Sequence, residues 1–255
     1  MNDRKRALIT GATSGIGLQM AIYLYRNGWT LTITGRNETI LKRMAERFGR
    51  DTRYLALDLA QPGAAEQLFD FCKDTRIDFL INNAGFGVFG DFTETSLTQE
   101  LELIQVNIIA LHTLTKLFLR EFVKRDSGYI LNVASSAGFM AGPKLSSYYA
   151  SKNYVVRLST AIREELRRRH SHVTISVLCP GPVDTNFNSR AGVNFSMQPA
   201  SAKYIAQYGI EGALTGKGIL IPTLFMKLGV MGAKLCPEEL VSRVVYELQK
   251  RKEII

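Results

Sequence analysis

The sequence predicts an α/β domain built on a doubly wound parallel sheet with helices on both faces. Short apolar runs alternate with amphipathic helical stretches from residue 7 to residue 178. Such alternation means parallel strands joined by right-handed crossovers. The first run, Ala7-Leu8-Ile9-Thr10, opens directly into Gly11-Ala12-Thr13-Ser14-Gly15-Ile16-Gly17 and then a helical pattern. A glycine-rich turn between a first strand and a first helix is an anion site: no Cβ blocks approach, and the helix N–H groups point outward. The chain has 255 residues, 46% hydrophobic and 22% charged. That suffices for one domain over 1–255 with a substantial core, and no linker, repeat or low-complexity segment divides it.

Each element follows from its local pattern. Residues 7–10 are nearly continuous apolar sequence, as a strand buried on both faces requires. The first helix runs through Asn27, with Gly28 after it as a stop signal. Residues 30–34 form the second strand, ending at Gly35-Arg36-Asn37. In a dinucleotide fold this strand end faces the adenosine ribose. An acidic residue there would bind a 2′-hydroxyl and repel a 2′-phosphate; Arg36 favours the phosphate, hence NADP(H) over NAD(H). Residues 38–48 are an amphipathic helix and 53–57 a third strand. Asp58 follows and either accepts a hydrogen bond from an adenine amino group or caps a turn. A helix over 62–73 leads to a fourth strand, 77–81, and to Asn82-Asn83-Ala84-Gly85, whose amides and small residues either bind a ligand or tie loops together.

Residues 97–124 read as one long helix with Asn107 inside it. Asparagine is a poor interior choice and is expected to bend or open the ladder. The fifth strand, 129–134, ends at Ser135-Ser136-Ala137-Gly138. A helix then carries Tyr148 and Lys152 to about residue 169. The sixth strand, 173–178, ends at Cys179-Pro180-Gly181-Pro182-Val183-Asp184-Thr185. Residues 199–214 form a helix and 218–222 the seventh strand. The stretch 223–235 is apolar and carries methionine; core, subunit contact and membrane surface are its alternatives, with membrane the weakest because its polar face is small. Pro237 opens a last helix with Leu240, Val241, Val244, Val245 and Leu248 on one face.

The chemistry centres on Tyr148 and Lys152. Four residues apart on a helix, they share a face. At roughly 5 Å and an effective dielectric near 20, a lysine cation attracts a phenolate by about 3 kcal/mol, or about two pKa units. That would bring the phenol toward neutral pH, where proton exchange is efficient. The spacing alone does not discriminate, since Tyr246 and Lys250 repeat it in a charged C-terminal helix that reads as a solvated face.

Composition bounds the partners. The net charge of +9 suits a basic enzyme that attracts an anionic ligand. The main basic cluster, Arg163, Arg167, Arg168 and Arg169, sits near a helix C-terminus among Glu164 and Glu165, where cations suit the dipole. No aromatic-studded basic tract accompanies it, so nucleic acid is not an expected partner. Cys72, Cys179 and Cys236 have no paired spacing, which suits a reducing compartment without disulfides or a zinc site. No apolar h-region precedes the first strand and no apolar run looks long enough to span a bilayer. The expected location is therefore cytoplasmic, with no membrane partner and no metal.

With these residues together, the chain resembles the short-chain dehydrogenase/reductase family, strongly over residues 5–185 and loosely beyond. The motif Thr10-Gly11-Ala12-Thr13-Ser14-Gly15-Ile16-Gly17, Asp58, Asn83-Ala84-Gly85 and the quartet Asn107, Ser135, Tyr148 and Lys152 carry the likeness. Ser135 is preferred to Ser136 because it stands thirteen residues before Tyr148 and opens Ser-x-Ala-Gly. The resemblance implies a seven-stranded Rossmann-type fold and a nicotinamide dinucleotide. That cofactor would lie on Gly11, Thr13, Ser14, Gly15, Ile16, Gly17, Arg36, Asp58, Asn83, Ala84, Gly85, Tyr148, Lys152, Pro180, Gly181, Val183 and Thr185. It implies Tyr148 as general acid, Ser135 on the substrate oxygen, Lys152 on the phenol and the ribose, and Asn107 in a proton relay. It implies residues 186–215 as the substrate cover, aided by 223–235 within a C-terminal extension 223–255, and a homodimer or homotetramer formed through the helices of 97–124 and 148–169. The expected activity is NADP(H)-dependent hydride transfer on an apolar carbonyl or alcohol of the 3-oxoacyl, steroid-like or other ketone or aldehyde kind. The alternative is a dinucleotide-binding sensor or scaffold without turnover.

Overall fold

The computed structural model of the chain describes residues 4–184 and 199–250. Strands β1 (Arg6–Thr10), β2 (Thr30–Gly35), β3 (Arg53–Ala56), β4 (Phe79–Asn82), β5 (Tyr129–Val133) and β6 (Thr174–Leu178) come in chain order. Two short strands, β7 (Val183–Asp184) and β8 (Ala200–Ser201), pair with each other, and β9 (Ile219–Leu220) closes the main sheet. The main sheet has seven strands in the order β3-β2-β1-β4-β5-β6-β9, and its pairings are parallel. The order reverses beside β1, so a crevice opens at the carboxyl ends of β1 and β4, where this class of sheet takes its ligands.

Helices α1 (Gly15–Arg26), α2 (Glu38–Phe48), α3 (Ala64–Phe71), α4 (Leu97–Ile104), α5 (Leu111–Lys124), α6 (Ser146–Arg168), α7 (Ala202–Leu214), α8 (Leu224–Leu235) and α9 (Glu238–Lys250) surround the sheet. Successive β1 side chains point to opposite faces. Ala7 and Ile9 join Met20, Leu24, Leu41 and Ile210 on one face; Leu8 joins Leu68, Leu114, Phe118 and Phe122 on the other. Covered on both sides, the strand has no place for a polar alternation, which explains its continuous apolar run.

Several details differ from the sequence reading. Between α4 and α5 lies a π-helix, Gln105–Ala110, centred on Asn107; the opened ladder expected at that asparagine is a one-residue widening of the helical turn. Leu97–Lys124 is long and apolar enough, by length and composition, to cross a membrane, contrary to expectation. Leu103, Leu111, Leu114, Phe118 and Phe122 are nevertheless buried in the protein. The helix expected from residue 199 begins at Ala202 because Ala200 and Ser201 pair with β7, and the Ser201 hydroxyl caps it by accepting from the Tyr204 N–H at 3.2 Å. α7 packs on α1 through buried Ile205, Ala206 and Ile210. Of α9, only Val245 and Gln249 are buried; Leu240, Val244 and Leu248 are exposed, so the apolar stripe read there is not a core face. The basic cluster has local partners: Arg163 donates to the Gly216 carbonyl at 2.7 Å, and Glu164 pairs with Arg167 and Arg168 at 2.7 and 2.8 Å.

Candidate active site

The glycine turn is held from below by Asn83. Its Nδ2 donates to the carbonyls of Thr10 at 3.0 Å and Gly11 at 3.1 Å. The Thr10 hydroxyl accepts from the N–H groups of Asn83 and Ala84, each at 3.0 Å. Of the two alternatives for these amides, tying loops together is therefore what Asn83 does. Gly11 has φ 65, a left-handed conformation that favours glycine. At Gly17 a Cβ would lie 2.4 Å from both Asn83 Nδ2 and the Gly11 carbonyl oxygen. Ser14 occupies the N-cap of α1 without a side-chain cap hydrogen bond, and the first turn holds no acidic residue. Helical N–H groups thus face the crevice with positive dipole character, and no acidic side chain of the helix's own first turn neutralises them. This is the chemistry a pyrophosphate needs, and the turn fits one.

These groups open on a cleft of about 450 Å³. Every catalytic or cofactor-binding candidate named from the sequence lines it except Gly17, Asn107 and Thr185, the last of which lies outside the described residues. Arg36 and Asn37 line the end beside β2, and Asn37 Oδ1 also caps α2 by accepting from the Ile40 N–H at 3.0 Å. Asp58 lines the same end while its Oδ1 accepts from the Ala60 N–H at 3.1 Å, so it caps a turn and faces the cleft at once. Ser135, Tyr148 and Lys152 meet at the other end.

Three elements bring the catalytic candidates together. Ser135 follows β5, hydrogen-bonds the Tyr148 hydroxyl, and accepts from the Ala137 N–H at 3.2 Å. Tyr148 and Lys152 stand one turn apart in α6. Asn107 comes from the π-helix, donating to the Phe86 carbonyl at 3.0 Å and to the Ser151 hydroxyl at 3.1 Å, and accepting from the Phe86 N–H at 3.1 Å. It therefore locks the loop after β4 to the turn of α6 between Tyr148 and Lys152. Beneath them, Asn82 donates to Thr115 at 3.0 Å and to Asn132 at 2.9 Å, and Asn132 donates to Ser159 at 3.0 Å. This buried polar network ties β4, β5, α5 and α6 into one register. The sequence reading singled out Asn82 but missed its partners Thr115, Asn132 and Ser159, which belong to no motif.

The electrostatics overturn one expectation. Tyr148 is not brought toward neutrality; burial pushes its phenol up to about 12, with the Ser135 hydrogen bond pulling the other way. Burial also lowers the Lys152 ammonium to about 8. The Coulomb argument fails because burial, which it left out, is the larger effect. The Lys152 ammonium donates to the Val133 carbonyl at 3.0 Å and lies 5.6 Å from the centroid of the Tyr148 ring. Desolvation of a phenolate in this pocket exceeds what that cation returns. At neutral pH the site therefore holds a protonated phenol beside a mostly charged lysine.

The substrate side departs from the expected layout. None of residues 202–214 lines this cleft, and residues 186–198 lie outside the described residues. The described wall comes from Met140, Leu145, Tyr149, Met226, Val245 and Gln249. Met226, at the start of α8, sits against Gly181, where an added Cβ would come within 2.7 Å of its sulfur. Gln249 donates to the Tyr149 hydroxyl at 2.8 Å, joining α9 to α6. The methionine-bearing stretch was a usable signal for Met226. Gln249 and Tyr149 gave none, because only the fold brings positions one hundred residues apart together.

A strand-bound glycine turn, an Asn–Ser–Tyr–Lys constellation and one crevice joining them define a dinucleotide-fold oxidoreductase. The chain belongs to the short-chain dehydrogenase family, whose sequence profile matches residues 5–194. It is 31% identical over 206 residues to the uncharacterized oxidoreductase YbbO of Escherichia coli, covering 80% of this chain and 75% of that protein. It is 30% identical to a very-long-chain 3-oxoacyl-CoA reductase of Mycosarcoma maydis, over 83% of this chain and 63% of that one. A short-chain dehydrogenase from Sphingobium yanoikuyae, solved in complex with NADPH, superposes with a TM-score of 0.82 at 28% identity, covering 91% of this chain and 94% of the other.

Proposed function

We propose that this protein reduces the carbonyl group of an apolar substrate with NADPH. The observation that carries the reading is the convergence of Ser135, Tyr148 and Lys152 at one end of a cleft whose other end presents Arg36 and the α1 N-terminus. Bound NADPH would supply the hydride. Ser135 then donates a hydrogen bond to the substrate oxygen as negative charge grows there. Tyr148, protonated at neutral pH, gives its proton to that oxygen and completes the alcohol. Lys152 stabilises the phenolate left behind and holds the ribose hydroxyls. Asn107 fixes the loop and the helical turn through which a proton returns. The protonation states of Tyr148 and Lys152 are those of a donor and its supporting cation, which supports turnover over the sensor or scaffold alternative.

Cofactor choice rests on Arg36, which lines the adenosine end with Gly35 rather than an acid at the end of β2. The apolar substrate class rests on Met140, Leu145, Met226 and Val245. Leu97, Leu101 and Ile109 are exposed on α4 and the following turn, which supports a homodimer or homotetramer through these helices. A cytoplasmic location fits the reduced cofactor and the three unpaired cysteines. The test is NADPH absorbance against acyl, steroid-like and small ketone or aldehyde substrates, with the wild type and Tyr148→Phe. We expect at least one apolar class to turn over, and Tyr148→Phe to lose turnover about a thousandfold while still binding NADPH by fluorescence. Retained turnover in Tyr148→Phe would remove Tyr148 as the acid.

A further inference from the structure

Helix α8 is amphipathic, and among the described residues its outer apolar side is not packed. Its inner side packs Met226 on Gly181 and buries Val230. Its outer side leaves Leu224 72%, Phe225 65%, Leu228 59%, Met231 60% and Leu235 84% exposed. At helical pitch these five side chains fall within an arc of about 120°. Scattered exposed leucines are ordinary, whereas a contiguous apolar stripe marks an interaction surface. Lys227 and Lys234 lie seven residues apart along one edge of the stripe, and α8 contains no acidic residue. The Lys234 ammonium sits 4.9 Å from the centroid of the Phe139 ring, which keeps that cation at the protein side of the edge.

We propose that α8 docks this protein on an anionic lipid bilayer, with the outer stripe in the headgroup–acyl boundary and Lys227 and Lys234 at the phosphate level. A membrane-surface helix ordinarily needs a polar face turned to water. Here the protein body takes the place of that face, because the side opposite the stripe is the side packed on Gly181. The small polar face of α8, an objection when the sequence is read alone, is therefore no obstacle. Charge selects lipid over a second copy of the chain. A two-fold antiparallel pairing of α8 with itself would set the two lysine edges against each other, with no carboxylate on the helix to offset them. Anionic headgroups complement the same edge, and the chain's net charge of +9 adds to the attraction. Met226, on the inner side of this helix, lines the cleft. Docking would thus bring the cleft close to the bilayer, a consequence that rests on the proposed apolar substrate, while the docking itself does not.

The experiment is flotation of the full chain with vesicles of phosphatidylcholine mixed with phosphatidylglycerol, and with phosphatidylcholine alone. Binding is read without turnover, so its failure is distinct from failure of the proposed reaction. We expect binding to the mixed vesicles that weakens with salt. Leu228→Gln/Met231→Gln should weaken it by about tenfold or more, with the thermal unfolding midpoint unchanged. Lys227→Gln, which leaves the apolar stripe intact, should lower affinity for the mixed vesicles and flatten the salt dependence. No wild-type binding, or equal binding by the double variant, would overturn the proposal. So would a wild-type dimer, by sedimentation velocity, that the double variant converts to monomer, since the stripe would then be a subunit contact.

Discussion

Replacing Lys152 by Met should separate the energetic cost of the site from its use. Burial lowers the Lys152 ammonium from the ordinary lysine value of 10.5 to about 8. At roughly 1.4 kcal/mol per pKa unit, holding it charged at neutral pH costs the folded protein on the order of 3 kcal/mol. Between pH 8 and 10.5 the unfolded chain binds this proton and the folded chain does not, so wild-type stability rises with pH across that window and the gain is lost as pH falls through 8. Lys152→Met has no such term. It does leave the Val133 carbonyl without its 3.0 Å donor, a penalty of about 1–3 kcal/mol that does not vary with pH. At pH 7 the variant should therefore be about as stable as the wild type or slightly more so, while losing turnover. Toward pH 10 the wild type should gain about 3 kcal/mol on it. Urea unfolding without added cofactor, followed by the fluorescence of the single tryptophan, Trp29, measures both. Other groups titrate in both proteins and cancel in the difference. A wild-type-minus-variant difference that stays flat from pH 7 to 10 would show that burial does not depress Lys152, and the account of a strained cation would fall.

Two further substitutions test the cofactor end. Arg36→Asp should cut the NADPH-to-NADH preference in kcat/KM by about tenfold or more, because a carboxylate would meet the 2′-phosphate; an unchanged ratio would defeat the 2′-phosphate assignment. Gly17→Ala places a Cβ 2.4 Å from Asn83 Nδ2 and the Gly11 carbonyl oxygen. Something in the turn must then shift, at about 1–3 kcal/mol. A lower melting temperature together with weakened NADPH binding is the expected result, and normal values of both would mean that the turn is not held as tightly as its contacts suggest.

What was legible in the sequence were features with a short period or a short span. The parallel, doubly wound sheet follows from the alternation of strands and helices, and the phosphate turn from glycines within seven residues of one another. The Tyr148 and Lys152 pair was legible as a spacing, but the same spacing at Tyr246 and Lys250 carries no site: Tyr246 is exposed, with the Lys144 ammonium 5.7 Å from its ring centroid. Spacing sets which side chains share a helical face; burial decides what they do there, and burial is a property of the whole fold. The phenol of Tyr148 shows this most directly. Two charges about 5 Å apart in a medium of intermediate dielectric give a lowered pKa, yet the pocket that concentrates the pair also strips water from both. The result is a neutral acid and a costly cation, not a phenol poised at neutrality. The same reasoning explains why Gln249 was invisible. A glutamine at the end of a charged helix has no reason to be read as part of a site until α9 folds back over α6 and its carboxamide meets the Tyr149 hydroxyl. The stripe on α8 was legible as composition, but its direction was not. Only the packing of Met226 and Val230 shows that Leu224, Phe225, Leu228, Met231 and Leu235 face outward, which turns a candidate core segment into an exposed apolar surface.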